Sequence, residues 1–271
     1  MNDTSDRDTR SLFVVRERRF FFMSQNNVFE YYNKQANWSF DQYGIMSESL
    51  TDWDLIDLIK RFSTPGSRIL DLGTAGGEKV ISNYPVCAEI LATDYSPEMI
   101  GTAKKNLEKS GRTDITFKVM DNLNMDVPDD HFDIVTARHT ITAPDQIIRC
   151  LKPGGHLLIR GVDKYDCHEL KLVFGRGQGF DDPVPVSITD YEAVLRAGFA
   201  DVELVPVHER EYYKDRETFL DFLRRVPILN ICDEDRTIEE DLLDEYIKRN
   251  TFDGRIRLIR RCYGITARKP G

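Results

Sequence analysis

The chain has few of the residues that staple a fold, ligate a metal or cross a membrane. Its five cysteines, Cys87, Cys150, Cys167, Cys232 and Cys262, include no CxxC pair and no metal-ligand spacing. That excludes a disulfide framework and leaves no expected metal site; the thiols read as small buried residues or free thiols in a reducing compartment. No apolar run approaches the length of a membrane span. Ser11-Leu-Phe-Val-Val15 is too short, and too soon followed by Arg16, Glu17, Arg18 and Arg19, to be a signal-peptide core. A cytoplasmic location is therefore expected. Positive charge is also in deficit: 37 Lys and Arg stand against 46 Asp and Glu, a net charge of -9, which repels a phosphate polyanion. Nucleic acid and membrane are not expected partners. A small molecule is, with the chain a monomer or homodimer. Internal repeats and low-complexity runs are absent too.

What is present suits one elaborated globular domain: 271 residues, 41% apolar and 31% charged. The organising stretch is Ser67 to Asp94, an apolar strand, a glycine turn, a short helix and a second apolar strand ending on an acid. This is half of a nucleotide-binding α/β unit, with an acid about 20 residues past the first glycine to hold a ribose; Gly73 and Asp94 meet that spacing. A dinucleotide turn would place a third glycine at the sixth position and leave the helix N-terminus free for pyrophosphate. Here Glu78 stands there, and a carboxylate in the first helical turn repels phosphate but not a cation.

These residues resemble the class I S-adenosylmethionine-dependent methyltransferases. Asp71-Leu-Gly-Thr-Ala-Gly-Gly77 is similar to their first motif, Asp94-Tyr-Ser-Pro-Glu98 to their second, and Leu151-Lys-Pro-Gly-Gly-His-Leu-Leu-Ile159 to the signature before their fifth strand. Within that family DLGTAGGE and ARHT are similar to a small-molecule, type 11-like branch. Ala75 departs from the usual second glycine, and its added methyl is expected to need no forbidden backbone. The resemblance implies S-adenosylmethionine as cofactor, with S-adenosylhomocysteine as product, and a doubly wound, mostly parallel seven-stranded Rossmann-like sheet. The implied reaction is methylation of an O, N or C atom of a small molecule, in secondary or specialised metabolism. An RNA or protein methyltransferase, or a silent binding protein of the same fold, are the alternatives.

Along the chain, residues 1–25 read as a tail or interface segment, 26–64 as an N-terminal helical cap, 65–208 as the cofactor-binding core, 209–260 as a lid insertion and 261–271 as the last strand. The lid reading rests on about 50 residues between the sixth and last strands, long for a simple connection. They leave from the same edge as the ligand loops, as does Asp163 to Val186. Helices are expected over Leu50 to Phe62, Ser96-Pro97-Glu98 onward to Gly111, Pro144 to Leu151, Ser187 to Ala197, Thr218 to Val226 and Ile238 to Ile247.

Asp94 is expected to accept both ribose hydroxyls, with Tyr95 and Met99 beside it. Asp121, with Asn122 and Leu123, is implied by the resemblance at the adenine. Gly73, Thr74, Ala75 and Gly76 let backbone approach the methionine half, while Asp71 and Glu78 add negative charge around a sulfonium, or are a solvated acid and a helix-dipole partner. The resemblance also implies that Arg138 leaves the fourth strand where cofactor and acceptor meet. His139 is the candidate general base and substrate contact, or a histidine fixing its loop. Tyr31, Tyr32 and Trp38 line the methyl pocket or pack in the core. Arg176 clamps a substrate carboxylate or is a surface arginine.

Overall fold

The computed structural model describes residues 43–229 and 238–271. Tyr31, Tyr32, Trp38, Cys232 and the 1–25 segment lie outside the described residues.

The core strands follow their apolar runs. β2 (Arg68–Leu72), β3 (Glu89–Asp94), β4 (Ile115–Val119), β5 (Phe132–Arg138) and β6 (Leu151–Val162) pair in parallel in the order β4-β3-β2-β5-β6. β2 and β5 are buried on both faces: Ile69, Leu70, Leu72, Ile134 and Val135 are fully enclosed, each contributing about 1.5 to 3 kcal/mol of burial. β9 (Arg255–Arg268) joins β6 antiparallel, and β7 (Ala200–Tyr213) joins β9. These are the seven expected strands.

Two more join them, giving nine in one sheet among the described residues: β1 (Met46–Ser49), antiparallel on the outer edge of β7, and β8 (Thr251–Phe252), paired with β9. The expected helical cap therefore contributes, within 43–64, an edge strand and α1 (Leu55–Phe62), capped by Asp54 accepting from Asp57 N at 2.9 Å. Trp53 lies over Gly264, whose missing Cβ makes room for the indole, and Phe62 stacks on His156 at 4.0 Å.

α2 (Glu78–Asn83) and α3 (Pro97–Ser110) connect the first parallel strands. α3 starts as its sequence dictates: Ser96 Oγ accepts from Met99 N, Pro97 occupies the first turn, and Gly111 closes it in the left-handed region. α4 (Pro144–Cys150), α5 (His168–Phe174) and α6 (Val186–Arg196) follow. Ser187 does not cap α6. Its hydroxyl donates to Asp163, whose other oxygen accepts from Val186 N at 3.0 Å.

The insertion is shorter than expected at both ends, because β7 continues to Tyr213 and β9 begins at Arg255, forming a two-stranded arm beyond the ligand edge. Between them lie α7 (Arg216–Arg225), a 3-10 turn (Pro227–Leu229) and α8 (Glu240–Asn250). α5, α7, α8 and the arm share one core, including Leu170, Phe174, Phe219, Leu223, Leu243, Tyr246 and Leu258, so the segment after β6 and the insertion pack together. Arg260 fastens them, its guanidinium meeting Asp166 at 2.9 Å and Glu211 at 3.2 Å.

Candidate active site

The crevice lies at the carboxyl ends of β2, β3, β4 and β5, where the helices diverge. After β2 the chain turns sharply: Gly73 N and Thr74 N both donate to Thr93 O (2.8 and 2.9 Å), and Gly77 N donates to Thr74 O. Gly73 and Gly77 both have φ +76, and a Cβ would stand 2.6 Å from the Thr140 side chain at the first and 2.5 Å from Phe117 at the second. Ala75 has φ +51, in the small left-handed region that is allowed but uncommon for a residue with a Cβ. At Gly76 the space is filled by the Glu78 carboxylate, which folds back over the loop while Asn106 Nδ2 donates to Gly76 O at 2.9 Å.

Asp94 is tied to that loop. Its Oδ2 accepts from Ala75 N and its Oδ1 from Ser96 N, each at 2.9 Å. Burial raises its carboxyl above the ordinary aspartate value, against the backbone N–H groups of Ser96, Ala75 and Tyr95. Each oxygen retains a second lone pair, the acceptor capacity that a ribose diol requires. Tyr95 follows, 60% exposed, and Met99 is buried in the first turn of α3.

Met120 N donates to Asp94 O at 3.0 Å, fixing the end of β4 beside β3 and setting Asp121 in the exposed turn beyond, where its Oδ1 accepts from Leu123 N. Leu123 is 38% exposed. Asn122 reaches the other way, Nδ2 donating to Thr140 Oγ1 and Ile141 O, both at 3.1 Å. Its buried Oδ1 has no partner among the described residues.

Asp71 departs from its expected place. It is 4% exposed and lies beneath the loop, where Oδ1 accepts from Tyr84 Oη and Thr136 Oγ1, both at 2.7 Å. Burial raises its pKa, and the same burial with the Asp71 charge pushes the Tyr84 phenol well up. Arg176 departs too. Its Nη1 and Nη2 donate to the two Glu239 oxygens at 2.6 and 2.7 Å, tying the loop after α5 to the start of α8, so it is not a free clamp.

At the far end, β5 delivers Arg138 and His139. His139 takes φ +53 as its N–H donates to Arg160 O at 2.8 Å. By surface area His139 is exposed, with a surround of protein on its other sides. That surround, together with Arg138, Arg160 and Arg260, disfavours the imidazolium and holds the pKa well below the ordinary histidine value. The solvent contact moderates the burial part, while the three nearby cations act in the same direction. Arg160 pairs with Glu209 at 2.7 Å. Tyr84, Thr136, Thr140, Arg160 and Glu209 were not legible from sequence as site residues. Their partners lie across the sheet, and only the threonine following Arg138-His139 stood near a motif.

A left-handed glycine turn, a loop-tied acid ending β3 and an exposed acid ending β4 agree with the cofactor site expected of a class I S-adenosylmethionine-dependent methyltransferase. The family model described as a methyltransferase domain matches residues 63–182, and over that stretch the chain is similar to this family. Its residues fit the class cofactor: a Cβ at Gly73 or Gly77 would meet Thr140 or Phe117, Asp94 keeps acceptor capacity, and Asn122 Oδ1 has no partner among the described residues. Over 140 residues it is 30% identical to the ubiquinone/menaquinone biosynthesis C-methyltransferase of Ectopseudomonas mendocina, covering 45% of this chain and 54% of that enzyme. The chain thus spans about half the length of that curated relative. A structure of a methyltransferase-assigned protein from Bacillus halodurans superposes with a TM-score of 0.56 at 20% identity, covering 80% of this chain and 99% of that one. Phosphoethanolamine N-methyltransferase 2 of Haemonchus contortus, in complex with S-adenosyl-L-methionine, gives 0.50 at 20% identity, covering 81% and 53%.

Proposed function

We propose that the protein transfers the methyl group of S-adenosylmethionine to an O, N or C atom of a small molecule held between the crevice and the α5, α7 and α8 cluster. The observation that carries this reading is the Ala75–Asp94 hydrogen bond, which sets an acceptor carboxylate against a glycine loop with no room for added side chains at Gly73 and Gly77. Asp94 orients the ribose. Tyr95 and Leu123, exposed beside the two acids, cover the adenine faces, and Asp121 meets its exocyclic amine. The cofactor supplies a methyl already activated by sulfur, so the protein's part is in-line placement and exclusion of water.

His139, neutral at physiological pH, is positioned to accept a proton from an acceptor hydroxyl or amine. The relative's C-methyltransferase name and the net charge of -9 favour a small acceptor over a nucleic acid. A place in secondary or specialised metabolism and a soluble cytoplasmic setting belong to the same proposal. No described helix is long and apolar enough to cross a membrane.

The test is isotope-labelled methyl transfer from S-adenosylmethionine to a panel of small phenols, amines and quinol precursors. Acceptor-dependent S-adenosylhomocysteine release is expected; cofactor binding without release from any of them, but with release on RNA or protein, would replace the acceptor class.

A further inference from the structure

The crevice is acidic where Asp94 and Asp121 end their strands and basic where β5 and β6 end. Arg138 and Arg160 are register partners on these adjacent parallel strands, which lie about 4.8 Å apart, so their side chains leave the same face of the sheet. The cations of this region are not equally matched. Arg260 has two carboxylates, Asp166 and Glu211. Arg160 has one, Glu209, and its buried Nε has no partner among the described residues. Arg138 is partly buried and forms no hydrogen bond or ion pair within the described residues. Asp71, whose carboxylate feels the Arg138 charge, is already engaged by Tyr84 and Thr136. Among the described residues one guanidinium is therefore left over beside His139, in a setting where an unmatched charge is expensive.

We propose that Arg138, with the spare Nε–H of Arg160, forms a carboxylate-binding subsite at the His139 end of the crevice. A single planar carboxylate matches one surplus guanidinium fork. A phosphate dianion would bring a second negative charge close to Glu209 and Asp71. The carboxylate belongs either to the methionine half of the cofactor or to the methyl acceptor. This inference rests on the assignment of the crevice to cofactor and acceptor, and it narrows that assignment to a ligand with an acidic group next to the base.

The experiment compares wild type, Arg138→Gln and Arg138→Lys by calorimetric titration with three probes: S-adenosylhomocysteine, its decarboxylated analogue, and benzoate added to S-adenosylhomocysteine-loaded protein. If the subsite takes the cofactor, Arg138→Gln weakens S-adenosylhomocysteine by about ten- to hundredfold and leaves the decarboxylated analogue unchanged. If it takes the acceptor, S-adenosylhomocysteine is unchanged and saturable benzoate binding is lost. In either case Arg138→Lys, which keeps the charge without the fork, falls between the two. Folded Arg138→Gln that binds S-adenosylhomocysteine and benzoate as wild type does overturns the proposal. If Arg138→Gln does not fold, wild type alone decides. Equal affinity for S-adenosylhomocysteine and its decarboxylated analogue, with no benzoate binding, overturns the subsite, and a preference for either carboxylate probe supports it. Wild type that binds no S-adenosylhomocysteine ends the proposed function, while the benzoate arm, run on unloaded protein, still reads this subsite.

Discussion

The backbone N–H of Ala75 donates to Asp94 Oδ2 at 2.9 Å, joining the loop after β2 to the acid that ends β3. Loop geometry and the proposed ribose contact therefore share one hydrogen bond. Asp94→Ala leaves the Ala75 and Ser96 N–H groups without their acceptors, at a cost of about 1 to 3 kcal/mol. It should also weaken S-adenosylhomocysteine by about tenfold or more. Urea unfolding and calorimetric titration of the same preparation read both effects, and a change in stability alone would remove Asp94 from the ribose.

The glycine loop gives a graded series. Gly73→Ala and Gly77→Ala combine a left-handed backbone with contacts of 2.6 and 2.5 Å, and each should cost about 2 to 4 kcal/mol. Gly76→Ala meets only the movable end of Glu78 and should cost less than either. Ala75→Gly relieves a φ of +51 and should stabilise by up to about 1 kcal/mol. Thermal and denaturant unfolding of the four variants gives their order; Gly76→Ala as the worst would contradict it.

Asp71 predicts a pH dependence. Its folded pKa is raised above the unfolded value of 3.8, so the folded state holds the proton more tightly. The stability it contributes is fully present below the unfolded pKa and is lost as pH rises through the folded one. Asp71→Asn keeps an oxygen to accept from Tyr84 and Thr136 and has no charge to lose. Its stability relative to wild type should therefore increase from about pH 4 toward pH 7 in urea titrations. Parallel curves would contradict this.

Desolvation by the surrounding protein and the charges of Arg138, Arg160 and Arg260 lower the pKa of the exposed His139, so the acid limb of the rate profile should lie well below the ordinary histidine pKa. If it serves as base, His139→Asn lowers turnover by about a hundredfold or more and abolishes that limb, with S-adenosylhomocysteine affinity kept. Unchanged turnover would leave His139 a loop-fixing residue and the reaction one of positioning alone.

The seven core strands and the cap of α3 were legible because each is written locally: apolar runs for β2 to β6, and Ser96-Pro97-Glu98 for the helix start. The elements missed lack that local signal. β1 is Met-Ser-Glu-Ser, exposed at every position, and is a strand only because β7 offers an edge. The arm of β7 and β9 is built from charged alternation, HEREYY against RIRLIR, whose pairing register spans the whole insertion. Asp71 was placed at the ligand because its motif neighbours are there. Strand alternation turns its carboxylate under the sheet edge, where Tyr84 and Thr136 wait from distant positions. Arg176 in its glycine-flanked loop resembled a clamp, and only the fold brings Glu239 to it.

The most direct measurement is a calorimetric titration of the wild-type protein with S-adenosylhomocysteine, with NAD as the control. The account predicts saturable one-to-one binding of the sulfur nucleoside, lost or greatly weakened in Asp94→Ala, and no binding of NAD. Folded protein that binds NAD in this crevice while giving no heat with S-adenosylhomocysteine would contradict it.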